Sequence, residues 1–120
     1  LSNNRQHSDV LSRYDSSTSE HIIPQDISGT GWTDVISAEE HDELVHTWGN
    51  LTILTAWENP EVGRKMWSEK RTHYLEEGIY KSPKKIARDN SEKFDASKIL
   101  QRAEELSRWA LDRWPRSFFR

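Results

Sequence analysis

Two short apolar segments with reactive residues at their ends constrain this chain more than anything else in it. Glu20-His21-Ile22-Ile23-Pro24 reads as a strand over residues 19–23 that stops at a proline, which has no N–H to give to a ladder. Trp48-Gly49-Asn50 then marks a turn, and Leu51 to Thr55, apolar and β-branched, reads as a second strand pairing with the first as a hairpin. Glu58-Asn59-Pro60 follows at the start of a helix. A histidine closing one strand, a partner strand and a helix carrying an asparagine are what a one-metal phosphodiesterase needs.

The remaining chain is helical in pattern. Ser37 and Glu40 form a capping-box spacing that predicts a helix from about Ala38 to His46. Residues 25–36, with Gly29, Gly31 and Trp32, read as a loop. Val62, Met66, Trp67, Tyr74 and Leu75 recur at helical spacing and predict a helix that begins near Ala56 or Pro60 and stops near Gly78, with Gly63 as its weak point. Ser82-Pro83 predicts a further start with proline at the first helical position. Asp95 caps a last helix whose stripe is Ile99, Ala103, Leu106 and Ala110, broadened by Leu100, Trp109 and Trp114 and ended by Pro115. The fold class is therefore α+β, mostly helical with one small hairpin. Residues 1–17 read as an N-terminal segment or linker and 18–120 as the folded domain. The chain begins on Leu1 rather than Met, and we expect a fragment from the C-terminal part of a longer protein.

Composition removes several function classes. With no cysteine, disulfides and thiolate metal sites are excluded, so a metal must be held by nitrogen and oxygen. No apolar run reaches membrane-spanning length, and a cytoplasmic protein without a membrane partner is expected. At 120 residues the chain supports one modest core, and six tryptophans offset a hydrophobic content of only 33%. Net charge is −3, which by itself argues against a nucleic-acid binder, and its distribution is more informative. Residues 1–62 hold 11 Asp/Glu and 2 Lys/Arg, whereas residues 63–120 hold 15 Lys/Arg and 9 Asp/Glu. The cluster of Arg64, Lys65, Lys70, Arg71, Lys81, Lys84, Lys85 and Arg88 can contact phosphates; it also suits a solvated helix face.

His21 is the candidate general base, since a neutral imidazole takes a proton from water at neutral pH. A lone histidine beside a proline turn is more often an ordinary half-buried side chain, so the assignment needs its neighbours. Glu20 and Asn59 offer the hard oxygens that Mg2+ or Mn2+ prefers. Adjacent strand residues face opposite ways, so Glu20 is the weaker ligand. Asn59 also suits a helix cap. Asn50 can hold the loop carrying His21 against the second strand. His46 is a secondary candidate for the same cleft. Arg64, Lys65, Lys70 and Arg71 are the candidate DNA-backbone contacts. Trp48, Trp57 and Trp67 read as core rather than as a base-stacking platform.

These residues carry a resemblance. Glu20-His21-Ile22-Ile23-Pro24 with Gly49-Asn50-Leu51-Thr52-Ile53-Leu54 resembles the C-terminal domain of GmrSD-type restriction endonucleases, an HNH (His-Me finger) nuclease with an HxxP signature. Asn59, then Met66-Trp67-Ser68-Glu69-Lys70 and Tyr74, and the terminal helix with Arg102 and Trp114-Pro115, are similar to it as well; the resemblance spans residues 18–115. It implies a ββα-metal core around one divalent cation, with His21 as base, Asn59 on the metal and Asn50 tying the hairpin loop. Glu20 stands where many HNH enzymes have a metal-binding Asp. It also implies double-stranded DNA as substrate, an upstream nucleotide-hydrolysing sensor domain that detects modified DNA, a place in phage defence, and a possible homo-oligomer. The competing reading is a non-catalytic DNA-binding or assembly module on the same fold.

Overall fold

The computed structural model describes residues 17–55, 62–77 and 80–114. Asn59, Trp57, Gly78, Pro115, the segment 1–16 and the expected helix start near Ala56 or Pro60 lie outside the described residues. Among those described, an antiparallel pair of strands, β1 (Ser17–His21) and β2 (Leu51–Thr55), is packed by four helices, α1 (Ala38–Leu44), α2 (Trp67–Glu76), α3 (Lys81–Asp89) and α4 (Ala96–Arg113). The α+β class is as the sequence pattern implied.

The strand register sets Glu20 opposite Thr52 and His21 opposite Leu51. One further bond, Ile22 N to Asn50 O at 2.9 Å, extends the pairing beyond β1. β2 has the expected bounds; β1 lies two residues earlier than expected because Ile22 and Ile23 turn into the core, where both are fully buried. The link between the strands is long: it contains a 3-10 turn at Gly31–Asp34, helix α1 and a second 3-10 turn at Trp48–Asn50. The capping box on α1 is complete, with Ser37 Oγ accepting from Glu40 N and Glu40 Oε1 accepting from Ser37 N, both at 3.1 Å.

The core is aromatic at its centre. Trp67 lies on Phe94 (ring centroids 5.3 Å apart) and edge-on to Tyr74 (5.9 Å), with Ile22, Ile23, Trp32, Leu54, Val62 and Ile99 packed around them. The two most deeply placed indoles satisfy their N–H groups on carbonyls, Trp32 on Lys65 and Trp67 on Asn90, each at 2.9 Å.

Three expectations need correction. The helical spacing from Val62 to Leu75 is not one helix: the backbone turns after Val62, Met66 is extended (φ −74°, ψ 167°), and α2 starts at Trp67. Gly63 and the pull of Arg64 toward the loop carbonyls of Asp26 and Ser28 account for the break. α3 starts at Lys81, so Pro83 sits in its third position, still within the first turn that needs no proline N–H. On α4 only Ala96 and Ile99 are buried, both in its first turns; Leu100, Trp109 and Trp114 are exposed, as is Trp48. The helix packs through its beginning against the turn before β2 and then runs past the core.

Candidate active site

The turn before β2 is where the site is set. Its Gly49 lies so close to α4 that a Cβ there would fall 2.1 Å from the carbonyl oxygen of Ile99, so no larger residue fits. From α4, Arg102 donates one nitrogen to three carbonyls of this turn: Trp48 at 2.8 Å, Gly49 at 3.2 Å and Leu51 at 2.7 Å. The turn is thereby fixed, and Asn50 with it.

Asn50 is fully buried and uses its whole amide. Its Oδ1 accepts from Ile23 N at 2.8 Å, and its Nδ2 donates to Ile23 O at 2.9 Å and to Val45 O at 3.0 Å. One side chain thus ties β2 to the segment two residues beyond His21 and to the residue before His46. Its loss leaves buried backbone groups unpaired.

β1 then divides two neighbours. Glu20 points inward and is 2% exposed. Its Oε2 accepts from Tyr74 Oη at 2.8 Å and from Lys70 Nζ at 3.3 Å, and Lys70 also donates to the His21 carbonyl at 3.1 Å. Burial raises Glu20 above the ordinary carboxylate range, opposed by Lys70 and Tyr74, and burial lowers Lys70, opposed by Glu20. Tyr74 is pushed well above the usual phenol value by burial and by the Glu20 charge, so it serves as a neutral donor.

His21 points the other way, half-buried beside an open cleft of about 380 Å³ that Gln25, Asp26, Gly63 and Arg64 also line. Its Nε2 lies 3.1 Å from His46 Nδ1, with the two rings edge to face, and its Nδ1 lies 3.2 Å from Gln25 Nε2. Burial, then the neighbouring His46, Lys70 and His41, hold its pKa below the histidine value of 6.5, so it is neutral at neutral pH. His41 braces the same bend by bonding the Pro24 carbonyl at 2.7 Å. At the mouth, Arg64 Nε donates to Asp26 O at 2.9 Å and its Nη2 to Ser28 O, with the Asp26 carboxylate 3.9 Å away.

Of the residues picked from sequence, His21 and Arg64 line one cleft, His46 contacts the His21 ring, and Asn50 braces the backbone beside both histidines. Glu20 borders the same cleft, but its carboxylate is buried and already bound by Lys70 and Tyr74. Lys70 is itself fully buried and has no free surface to offer a DNA backbone. Arg71 is half-buried and bonds the Ala87 carbonyl at 2.8 Å, tying α2 to α3. Lys65 remains exposed. Gln25 escaped notice although it follows the proline of the motif. Its four-residue spacing from His21 becomes a contact only through the bend that Pro24 and His41 make. Lys70 and Tyr74 carried a usable signal, since their i,i+4 spacing puts them on one face of α2.

Among the described residues, no three His, Asp or Glu side chains stand together as a metal cage. No helix among them is long and apolar enough to cross a membrane. Residues 1–109 match the family described as GmrSD restriction endonucleases, C-terminal domain. Neither a curated protein nor a solved structure matches significantly.

Proposed function

The chain belongs to the C-terminal domain family of the GmrSD restriction endonucleases, and from that premise we propose that it is an HNH-type, metal-dependent DNA endonuclease or nickase domain. The observation that carries this reading is the His21 ring. It is neutral, open to a cleft, and mounted on a backbone held by Asn50 on one side and Lys70 on the other. His21 takes the proton of a water that attacks phosphorus; the bond to the 3′ oxygen breaks and that oxygen takes a proton from solvent water, leaving a 5′-phosphate and a 3′-hydroxyl. Arg64 at the mouth offers charge to the phosphate without reading bases.

Among the described residues, those around His21 form no cation cage of three His, Asp or Glu. A Mg2+ or Mn2+ ion that keeps most of its waters needs only one or two protein oxygens, and Asn59 is the side chain we assign to it. When bound, such an ion neutralises the charge developing on the leaving oxygen. The lines drawn from the family resemblance remain part of the same reading: an upstream nucleotide-hydrolysing sensor domain, a role in cytoplasmic phage defence, and assembly into a homo-oligomer.

A supercoiled plasmid incubated with the chain and Mg2+ or Mn2+ tests it. Wild type converts the plasmid to nicked or linear forms, and a chelator stops the conversion. His21→Ala removes a general base and lowers the rate by about 10²–10⁴. Asn59→Ala raises the metal concentration required. Cleavage by His21→Ala at the wild-type rate refutes the base, and salt-sensitive binding with no cleavage under any metal points instead to a binding module.

A further inference from the structure

Beside the His21 ring stands a second imidazole that the proton transfer above does not use. His46 is exposed, yet its Nδ1 is aimed at His21 Nε2 at 3.1 Å rather than at solvent. Either ring nitrogen can be the donor of that contact, and the group on the far side of His21 favours one direction. The Gln25 amide lies 3.2 Å from His21 Nδ1 through its nitrogen, which only donates, and in that arrangement Nδ1 is the lone-pair nitrogen. The proton of neutral His21 is therefore on Nε2, and His46 Nδ1 accepts it.

We infer that His46 is the positioning residue of His21: it accepts the Nε2–H, and so keeps the Nδ1 lone pair turned into the cleft as the base. When Nδ1 takes a proton from water, Nε2–H stays on the His46 lone pair, which shares the new positive charge. Gln25 occupies Nδ1 until water or substrate displaces it; its side chain is exposed and flexible enough to give way. This is the division of labour a triad gives to the group behind its histidine, with an imidazole nitrogen in place of a carboxylate. The spacing of the pair is set by Asn50, whose amide bonds Ile23 on the His21 side and Val45 on the His46 side. The inference rests on His21 being the general base.

The test combines the plasmid assay with 15N NMR of the histidine rings at a pH where they are neutral. Wild type shows the Nε2–H tautomer of His21. His46→Ala, a change at an exposed position, gives a mixture of tautomers and a kcat about tenfold lower with KM unchanged, below the ~10²–10⁴ loss from removing the base. His46→Gln keeps an acceptor oxygen and restores both. A wild-type His21 protonated on Nδ1 overturns the inference, as does a His46→Ala protein whose tautomer or whose kcat is unchanged. If the wild-type chain cleaves no DNA, the nuclease reading fails on that arm alone, and the tautomers still decide whether His46 orients His21.

Discussion

Glu20 and His21 are neighbours in the chain and opposites in the fold. On one face of β1 a carboxylate is shut away with a lysine and a tyrosine that meet its oxygen. On the other face an imidazole borders an open cleft, and Gln25, Asp26, Gly63 and Arg64 around it are exposed or half-buried. The closed face spends its polar groups on holding the strand; the open face leaves a nitrogen available. The two are joined, because Lys70 also bonds the backbone carbonyl of His21. A residue that resembles a metal ligand by its place in a motif has become part of the support, and only the pleat of a strand separates the two uses.

The sharpest way to break this comparison is to open the closed face. Lys70→Ala leaves a buried carboxylate with one partner, and we expect a loss of about 3–5 kcal/mol in urea denaturation. Glu20→Gln combined with Lys70→Met removes both charges and recovers most of it. A Lys70→Ala protein within about 0.5 kcal/mol of wild type, the range of an ordinary surface change, shows the pair to be incidental.

His21→Ala is the mirror experiment. The same denaturation should barely register it, within about 1 kcal/mol, while the cleavage rate falls by at least about a hundredfold, or about 2.7 kcal/mol of transition-state stabilisation. If His21→Ala unfolds the chain as readily as Lys70→Ala, the imidazole belongs to the framework and the two faces are not different in kind.

Why one face was legible and the other was not follows from the range of the interactions. The capping box of Ser37 and Glu40, the cap at Asp95 and the strand at Leu51–Thr55 are local patterns, and each lies where the sequence implied. Asn50 could be assigned to holding the His21 loop because a turn asparagine has few other uses. The partner of Glu20 could not be read, since Lys70 and Tyr74 come from a helix 50 and 54 residues away. His46 was readable as a neighbour of the cleft, but its direct contact with His21 depends on how α1 docks rather than on spacing. Exposed Trp109 and Trp114 misled for another reason: α4 is longer than the surface available to cover it, and a helical stripe does not reveal where the core ends.

A pH series sharpens the comparison on the open face. The folded pKa of His21 is depressed, so its contribution to stability is present above the unfolded value near 6.5 and is lost as pH falls through the lower folded value. The same shift keeps the base form available at neutral pH. The acid limb of kcat/KM, and the His21 titration followed by NMR, should both have midpoints below 6.5. A midpoint at or above 6.5 means that the ring is not desolvated by the cleft wall, and the neutral resting state is lost with it.

The smallest effect separates the four cations first grouped as DNA contacts. Arg64 stands at the mouth on the open side, half exposed, with its guanidinium bound to loop carbonyls that hold it in place. Arg71 faces inward to the Ala87 carbonyl. Arg64→Ala should raise KM several-fold with little change in kcat and lower the salt dependence of binding by about one unit of slope, as losing one phosphate contact does. Arg71→Ala should leave that slope alone and cost about 1 kcal/mol of stability through the lost hydrogen bond. Equal salt slopes for the two variants would mean that backbone charge is read elsewhere, and that orientation at the cleft does not distinguish one arginine from the other. Unequal slopes with Arg64 the larger tie phosphate contact to the face that carries His21, and assign the closed face of β1 to support alone.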